Sequence, residues 1–100
     1  MNVNLNRPFL DATKKAVKDS EGKEVLVSER ICVMLYNLSN RGGKPATADE
    51  KYKAYRLMCR IQDNPEAVQV DAAEAGLIRE LCAEQLSAGA YGQVAELLDE

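Results

Sequence analysis

The chain reads as one α+β domain: an N-terminal β-hairpin element over residues 1–27, then three to four short amphipathic helices packed as a small bundle over 28–100. Two observations lead there. The first 27 residues carry period-2 alternation and turn chemistry, whereas the remainder carries helical periodicity. Within that remainder the same helix-start pattern is written twice, as Thr47-Ala48-Asp49-Glu50 and Asp71-Ala72-Ala73-Glu74. One hundred residues at 46% apolar suffice for one modest core, and with a single Phe and no Trp that core has to be aliphatic.

Val3 and Leu5 alternate with Asn2, Asn4 and Asn6, the pattern of a half-buried strand, until Pro8 withdraws a backbone donor. Asp19-Ser20-Glu21-Gly22 has Asp at the first and Gly at the fourth position of a type I turn. It predicts a hairpin pairing 16–18 with 24–27, and a lone hairpin in water needs an apolar support. That support is helical. Ser28 is expected to cap a helix whose Ile31, Met34, Leu35 and Leu38 share one face. Asn40, Gly42, Gly43 and Pro45 are expected to end it in a flexible linker.

The two capping patterns predict helices over 47–62 and 71–87, the second with a weak staple between Val70 and Ala75. Between them, after Asn64-Pro65, Val68 and Val70 flank Gln69 in an extended link expected to add a strand to the N-terminal hairpin. Gly89 is expected to stop the third helix, and Tyr91, Val94, Ala95 and Leu98 predict a short fourth. No internal repeat of useful length is read; the recurring cap is a helix signal.

Charge is segregated. Residues 65–100 sum to −7 and residues 31–64 to +3, beneath a net charge of −3. An acidic balance argues against a general nucleic-acid binder, though not against a local basic contact. No apolar run is long enough to cross a bilayer, and the polar start lacks a signal-peptide h-region, so a cytoplasmic protein is expected. Cys32, Cys59 and Cys82 are odd in number, lack CxxC spacing, and stand in a chain without His; they are expected to pack as small hydrophobes rather than hold a metal. Arg41-Gly42-Gly43-Lys44 lacks the spacing of a phosphate-binding loop, and Asp19, Glu21 and Glu24 fail a calcium-loop pattern. No catalytic residues, cofactor or small-molecule substrate are therefore assigned, and a non-enzymatic protein is expected.

The helix over 47–62 holds the candidate binding residues. At 100° per residue, Ala54, Leu57, Met58 and Ile61 form a core-facing stripe, Tyr52, Tyr55 and Cys59 a second apolar stripe nearly opposite, and Lys53, Arg56 and Arg60 a basic one between. A helix apolar on two sides is either the centre of its domain or keeps one face for a partner. Tyr and Arg are favoured at protein interfaces, so Tyr52, Tyr55, Arg56 and Arg60 are the candidate contacts to a protein partner or a second copy. The alternative is a nucleic-acid contact through Arg41, Lys44, Lys53, Arg56 and Arg60, opposed by pairing of that stripe with acids such as Glu80 and Glu84 on the next helix. Gln85 falls in the arc of Leu77, Ile78, Leu81 and Cys82, where a buried amide would be costly; it marks either a partner-facing edge or the exposed helix end.

The Asn2-Val3-Asn4-Leu5-Asn6 strand, the Asp19-Ser20-Glu21-Gly22-Lys23 turn and the ending Gly89-Ala90-Tyr91-Gly92-Gln93-Val94 together resemble small accessory proteins of tailed bacteriophages and prophages. The resemblance implies a bacterial cytoplasm and a role in assembly, regulation or host takeover. It carries no site residues.

Overall fold

A computed structural model describes residues 1–99. It has the expected α+β architecture: short strands and a hairpin element at the N-terminus, and four helices around one core. Strand β1 (Asn2–Val3) pairs antiparallel with β4 (Val68–Gln69), Asn2 facing Gln69 and Val3 facing Val68. Helix α1 (Val27–Tyr36) is followed by a hairpin of β2 (Asn40–Arg41) and β3 (Lys44–Pro45), then by α2 (Ala48–Asp63). Helices α3 (Ala72–Gln85) and α4 (Ala88–Asp99) complete the chain. The alternation at the N-terminus holds: Val3 and Leu5 are buried while Asn2, Asn4 and Asn6 are exposed.

Residues 8–26 form a closed ring. Phe9 N–H donates to Val25 C=O, Val25 N–H to Val17 C=O, and Val17 N–H to Phe9 C=O, at 2.8–2.9 Å. Bridges Pro8–Leu26, Leu10–Ala16 and Lys18–Glu24 are all antiparallel. Three segments each antiparallel to the other two can only lie as the sides of a triangle. The ring is built from an eight-residue structural repeat that shares only an Asp and a Lys in sequence: residues 9–16 and 17–24 fold alike. Asp11 and Asp19 each donate their N–H to the lysine four residues on, Lys15 and Lys23. Each also accepts at Oδ1 from the backbone N–H groups two and four residues on. The left-handed position of each turn is Lys14 (φ 64°) or Gly22 (φ 82°). The expected hairpin is thus present, as one side of the ring.

Four expectations are corrected. Ser28 is the second residue of α1 and not its cap; Leu26 stands at the cap position and makes no side-chain capping bond. The reason is that Val27 N–H donates to Arg7 C=O at 2.8 Å and Ser28 N–H to Leu5 C=O at 2.9 Å, so the extended segment's carbonyls satisfy the helix's first donors. The stretch 40–45 is a hairpin, because Gly42 and Gly43 both adopt positive φ (59° and 79°), the two-residue turn that matches strand twist. The link at 68–69 joins β1 and not the 16–27 hairpin. Gly89 lies inside α4; α3 ends at Gln85, and Ser87 C=O accepts from Tyr91 N–H to close the first turn of α4.

Both capping boxes form. Thr47 accepts from Glu50 N–H and Asp71 from Glu74 N–H, each glutamate returning the bond. Caps of this kind contribute about 1 kcal/mol each. The core takes Leu5 and Phe9 from the N-terminal segment, Val27, Ile31, Met34 and Leu35 from α1, Ala54, Leu57, Met58 and Ile61 from α2, and Ile78, Cys82, Val94 and Leu98 from α3 and α4. Gln93 on α4 clamps the ring to the bundle. Its Oε1 accepts from Leu10 N–H at 2.7 Å while its Nε2 donates to Leu10 C=O at 2.9 Å. Gln85 is exposed at the end of α3.

The repeat makes a paired prediction. A side chain in the left-handed region costs about 1 kcal/mol, so Gly22→Ala should destabilise by about that amount in urea unfolding. Lys14→Gly should be neutral or stabilising by a few tenths; equal effects at both positions would break the equivalence of the two turns.

Candidate functional site

Helices α1 and α2 run antiparallel. Leu5 is tied at one end to both Ser28 and Pro65, and further along Cys32 Sγ lies 3.9 Å from Met58 C=O. Ile61 and Met58 from α2, with Cys32 from α1, line a groove of about 530 Å³ between the two helices. Leu57 and Glu50, on the other side of α2, face the cleft toward α3.

The tyrosine stripe of α2 lies on its outer surface. Tyr52 is 59% and Tyr55 52% exposed, with ring centroids 6.5 Å apart and planes inclined by 29°. A hydrogen bond with Cys59 pushes the Tyr55 phenol up from its ordinary pKa. Two residues on α1 are also exposed apolar side chains: Val33 and Tyr36, 56% and 74% exposed, both on the α1–α2 groove. They were not singled out from sequence, although they lie three apart on the side of α1 opposite Ile31 and Leu35, the same signal that marked Tyr52 and Tyr55.

The basic candidates divide into two groups. Arg60 donates to both carboxylate oxygens of Glu74 at 2.8 Å and to Gln69 C=O at 2.9 Å. Arg41 bridges Glu50 and Glu80 at 3.2 and 2.9 Å, and the Glu80 hydrogen bond raises its already high pKa. Lys53 pairs with Asp49 at 3.1 Å. Among the described residues Arg56, Lys44 and Lys51 make no ion pair, nor does Glu84. Of the four candidate partner contacts, Tyr55 stands on the outer surface of α2, while exposed Tyr52 and Arg56 border the cleft toward α3 that also holds Arg60. Of the five candidate nucleic-acid contacts, Arg41, Lys53 and Arg60 are neutralised within the chain.

The α2–α3 cleft, about 560 Å³, is lined by Arg41, Arg56 and Arg60 beside Glu50, Asp71 and Glu74. Opposite charges alternate across it and leave no single-sign field to concentrate an ion. No group of three metal-ligating His, Cys, Asp or Glu side chains occurs among the described residues. Cys32 and Cys82 are buried and Cys59 is half-buried; all three are free thiols. Burial pushes the Cys82 thiol up to about 11 and raises Cys32 as well. No described helix is long and apolar enough to cross a membrane. Comparison with family models, curated proteins and solved structures returns no significant match.

Two outcomes follow from these environments. A thiol reagent at pH 8 should modify Cys59 rapidly and leave Cys32 and Cys82 protected until unfolding, since thiols with raised pKa stay protonated and those two are also shielded; rapid labelling of Cys82 in the native protein would contradict its placement. Hydrogen bonding, chiefly from Thr13 to Asp11 and from Thr47 N–H to Glu50, holds both carboxyls below their ordinary values. Their stabilising contribution is present above the unfolded-state pKa values, about 3.9 and 4.3, and is lost as pH falls through the lower folded-state values. Carboxyl-carbon NMR titration should place both midpoints below those of unstructured peptides.

Proposed function

We propose that this protein is a non-enzymatic docking factor, an accessory protein of a phage or prophage acting in the bacterial cytoplasm, which presents the outer face of α1 and α2 to another protein surface. The observation that carries this reading is the exposed tyrosine pair on α2; Val33 and Tyr36, exposed on the α1–α2 groove, add apolar surface on α1. Large aromatic surface left in water is unfavourable, by about 25 cal/mol per Å² relative to burial, and Tyr beside Arg is the composition of interface hot spots. Arg56, one turn beyond Tyr52 on the border of the α2–α3 cleft, makes no ion pair among the described residues. Arg60 positions α2 against α3 through Glu74 and supports the face from behind.

The phage and cytoplasmic parts of the proposal rest on the resemblance carried by 2–6, 19–23 and 89–94. Nucleic acid is the weaker reading, because Arg41, Lys53 and Arg60 are already neutralised by carboxylates. A residual basic contact would rest on Lys44 and Arg56 and would show steep salt dependence.

Site-specific photocrosslinking in cells tests the docking face. A photoreactive residue at position 52 or 55 should give a discrete covalent protein adduct, and one at exposed Lys18 should give none. Absence of adducts at both tyrosine positions would sink the proposal. Tyr52→Ala with Tyr55→Ala should leave stability within about 0.5 kcal/mol, as expected of exposed side chains.

A further inference from the structure

We infer that residues 8–26 are a hinged strap. The triangular ring detaches from the helices as one cooperative unit, about a neck at Arg7 and Val27, while the helical core stays folded; the Gln93 side chain is the latch that holds it closed. The inference is independent of the docking reading. The neck follows from topology. Pro8 bridges Leu26, and Val27 N–H donates to Arg7 C=O at 2.8 Å, so the chain enters and leaves the ring at one place. Such an excursion can part from the core without dragging another element with it.

The ties between ring and helices are few. Among the described residues, every hydrogen bond made by 9–25 stays within that segment except the pair between Leu10 and Gln93, and no ion pair crosses to the helices. Gln93 supplies what a neighbouring strand would: its side chain accepts from Leu10 N–H at 2.7 Å and donates to Leu10 C=O at 2.9 Å. The apolar attachment is as narrow. Phe9 is the one buried residue of the segment, with Val17 and Val25 half-buried against the core. Beside the latch the two parts stand apart across an open cleft of about 940 Å³, lined by Leu10, Val17 and Val25 on the ring and by Leu86 and Ala90 at the α3–α4 junction.

Within the ring the bonds are cyclic. Phe9, Val17 and Val25 each give one N–H and accept one at C=O, so breaking any side frees groups on both of the others. Short strand pairs need an apolar support to persist in water, so once Phe9 leaves the core the three sides come apart together. Segments with little buried apolar surface and exposed hydrogen bonds open at lower free energy than the whole fold. The rest of the molecule keeps its own ties when this happens: β1 stays on β4, Ser28 N–H keeps Leu5 C=O, and Leu5 N–H keeps Pro65 C=O. Opening uncovers Phe9 and the apolar side chains at the α3–α4 junction, none of which belongs to the tyrosine face.

Amide hydrogen exchange of the whole chain, read by NMR under native conditions, tests this. The Phe9, Val17 and Val25 amides should share one protection factor, within about threefold, lying at least about tenfold below that of core amides such as Ile61 and Cys82. Asp71→Ala removes the cap of α3 and should lower core protection about fivefold while leaving the ring amides unchanged, because α3 is intact in the open form. Gln93→Ala should lower ring and core amides alike by about fivefold, since the latch exists only in the closed form. Retained amide shifts across α2 would show that both variants fold, and the wild-type comparison stands without either.

Equal protection in ring and core overturns the strap, because the ring would then open only with the whole fold. So does a loss of ring protection in Asp71→Ala, which would tie ring opening to the helices. Widely different protection among the three ring amides overturns the cooperative unit, since each side would be fraying by itself. Ring amides indifferent to Gln93→Ala overturn the latch.

Discussion

The backbone of Leu5 is the constraint on which the rest of the molecule depends. Its side chain is fully buried, its N–H donates to Pro65 C=O at 2.8 Å, and its C=O accepts from Ser28 N–H at 2.9 Å. One residue thereby joins the N-terminal segment, the first turn of α1 and the link that leaves α2. Each bond removes a polar group that would otherwise be stranded beside the core, where an unmade hydrogen bond costs about 1–3 kcal/mol. The same two bonds fix where α1 starts relative to where α2 ends, and so set the groove between them. The geometry of the candidate face is inherited from this node.

A second level of organisation is electrostatic. The cations of α2 that face inward or along the helix are matched to Glu74 and Asp49, and Arg41 in the preceding hairpin reaches both Glu50 and Glu80. Exposed or half-exposed pairs of this kind contribute at most about 1 kcal/mol each, so their role is to orient α2 against α3 more than to hold the fold. What they leave outward is a helix face whose tyrosines are supported but uncovered. Packing on one side of α2 and exposure on the other are two results of the same arrangement.

The sequence made much of this legible, for reasons that can be named. Capping boxes are local, since the cap and the glutamate lie three residues apart, and both were readable in one window. The stripes of α2 follow from helical period alone, which is why Ala54, Leu57, Met58 and Ile61 are buried and Tyr52 and Tyr55 are not. The start of α1 was not readable, because its donors are satisfied by carbonyls twenty or more residues upstream. Gly42-Gly43 is a strong hairpin signal, but its flanks, Asn40-Arg41 and Lys44-Pro45, lack the alternating apolar residues that mark strands. The eight-residue repeat escaped because its two copies share only the Asp and the Lys; their likeness lies in backbone geometry, with Lys14 taking a conformation usually left to glycine. Gln93 reaches Leu10 across more than eighty residues, a contact that no local pattern encodes.

The triangular ring at the N-terminus has a consequence for how the protein behaves in a crowded solution. At its centre the N–H and C=O of Phe9, Val17 and Val25 are all spent on one another. Short hairpins ordinarily end in a row of unpaired backbone groups, the template on which chains stack into fibrils. Here the sheet closes after three sides and those central groups offer no such template. A region with strand-forming residues is thus protected from strand addition by topology, without the charged or proline-rich edges that open sheets use.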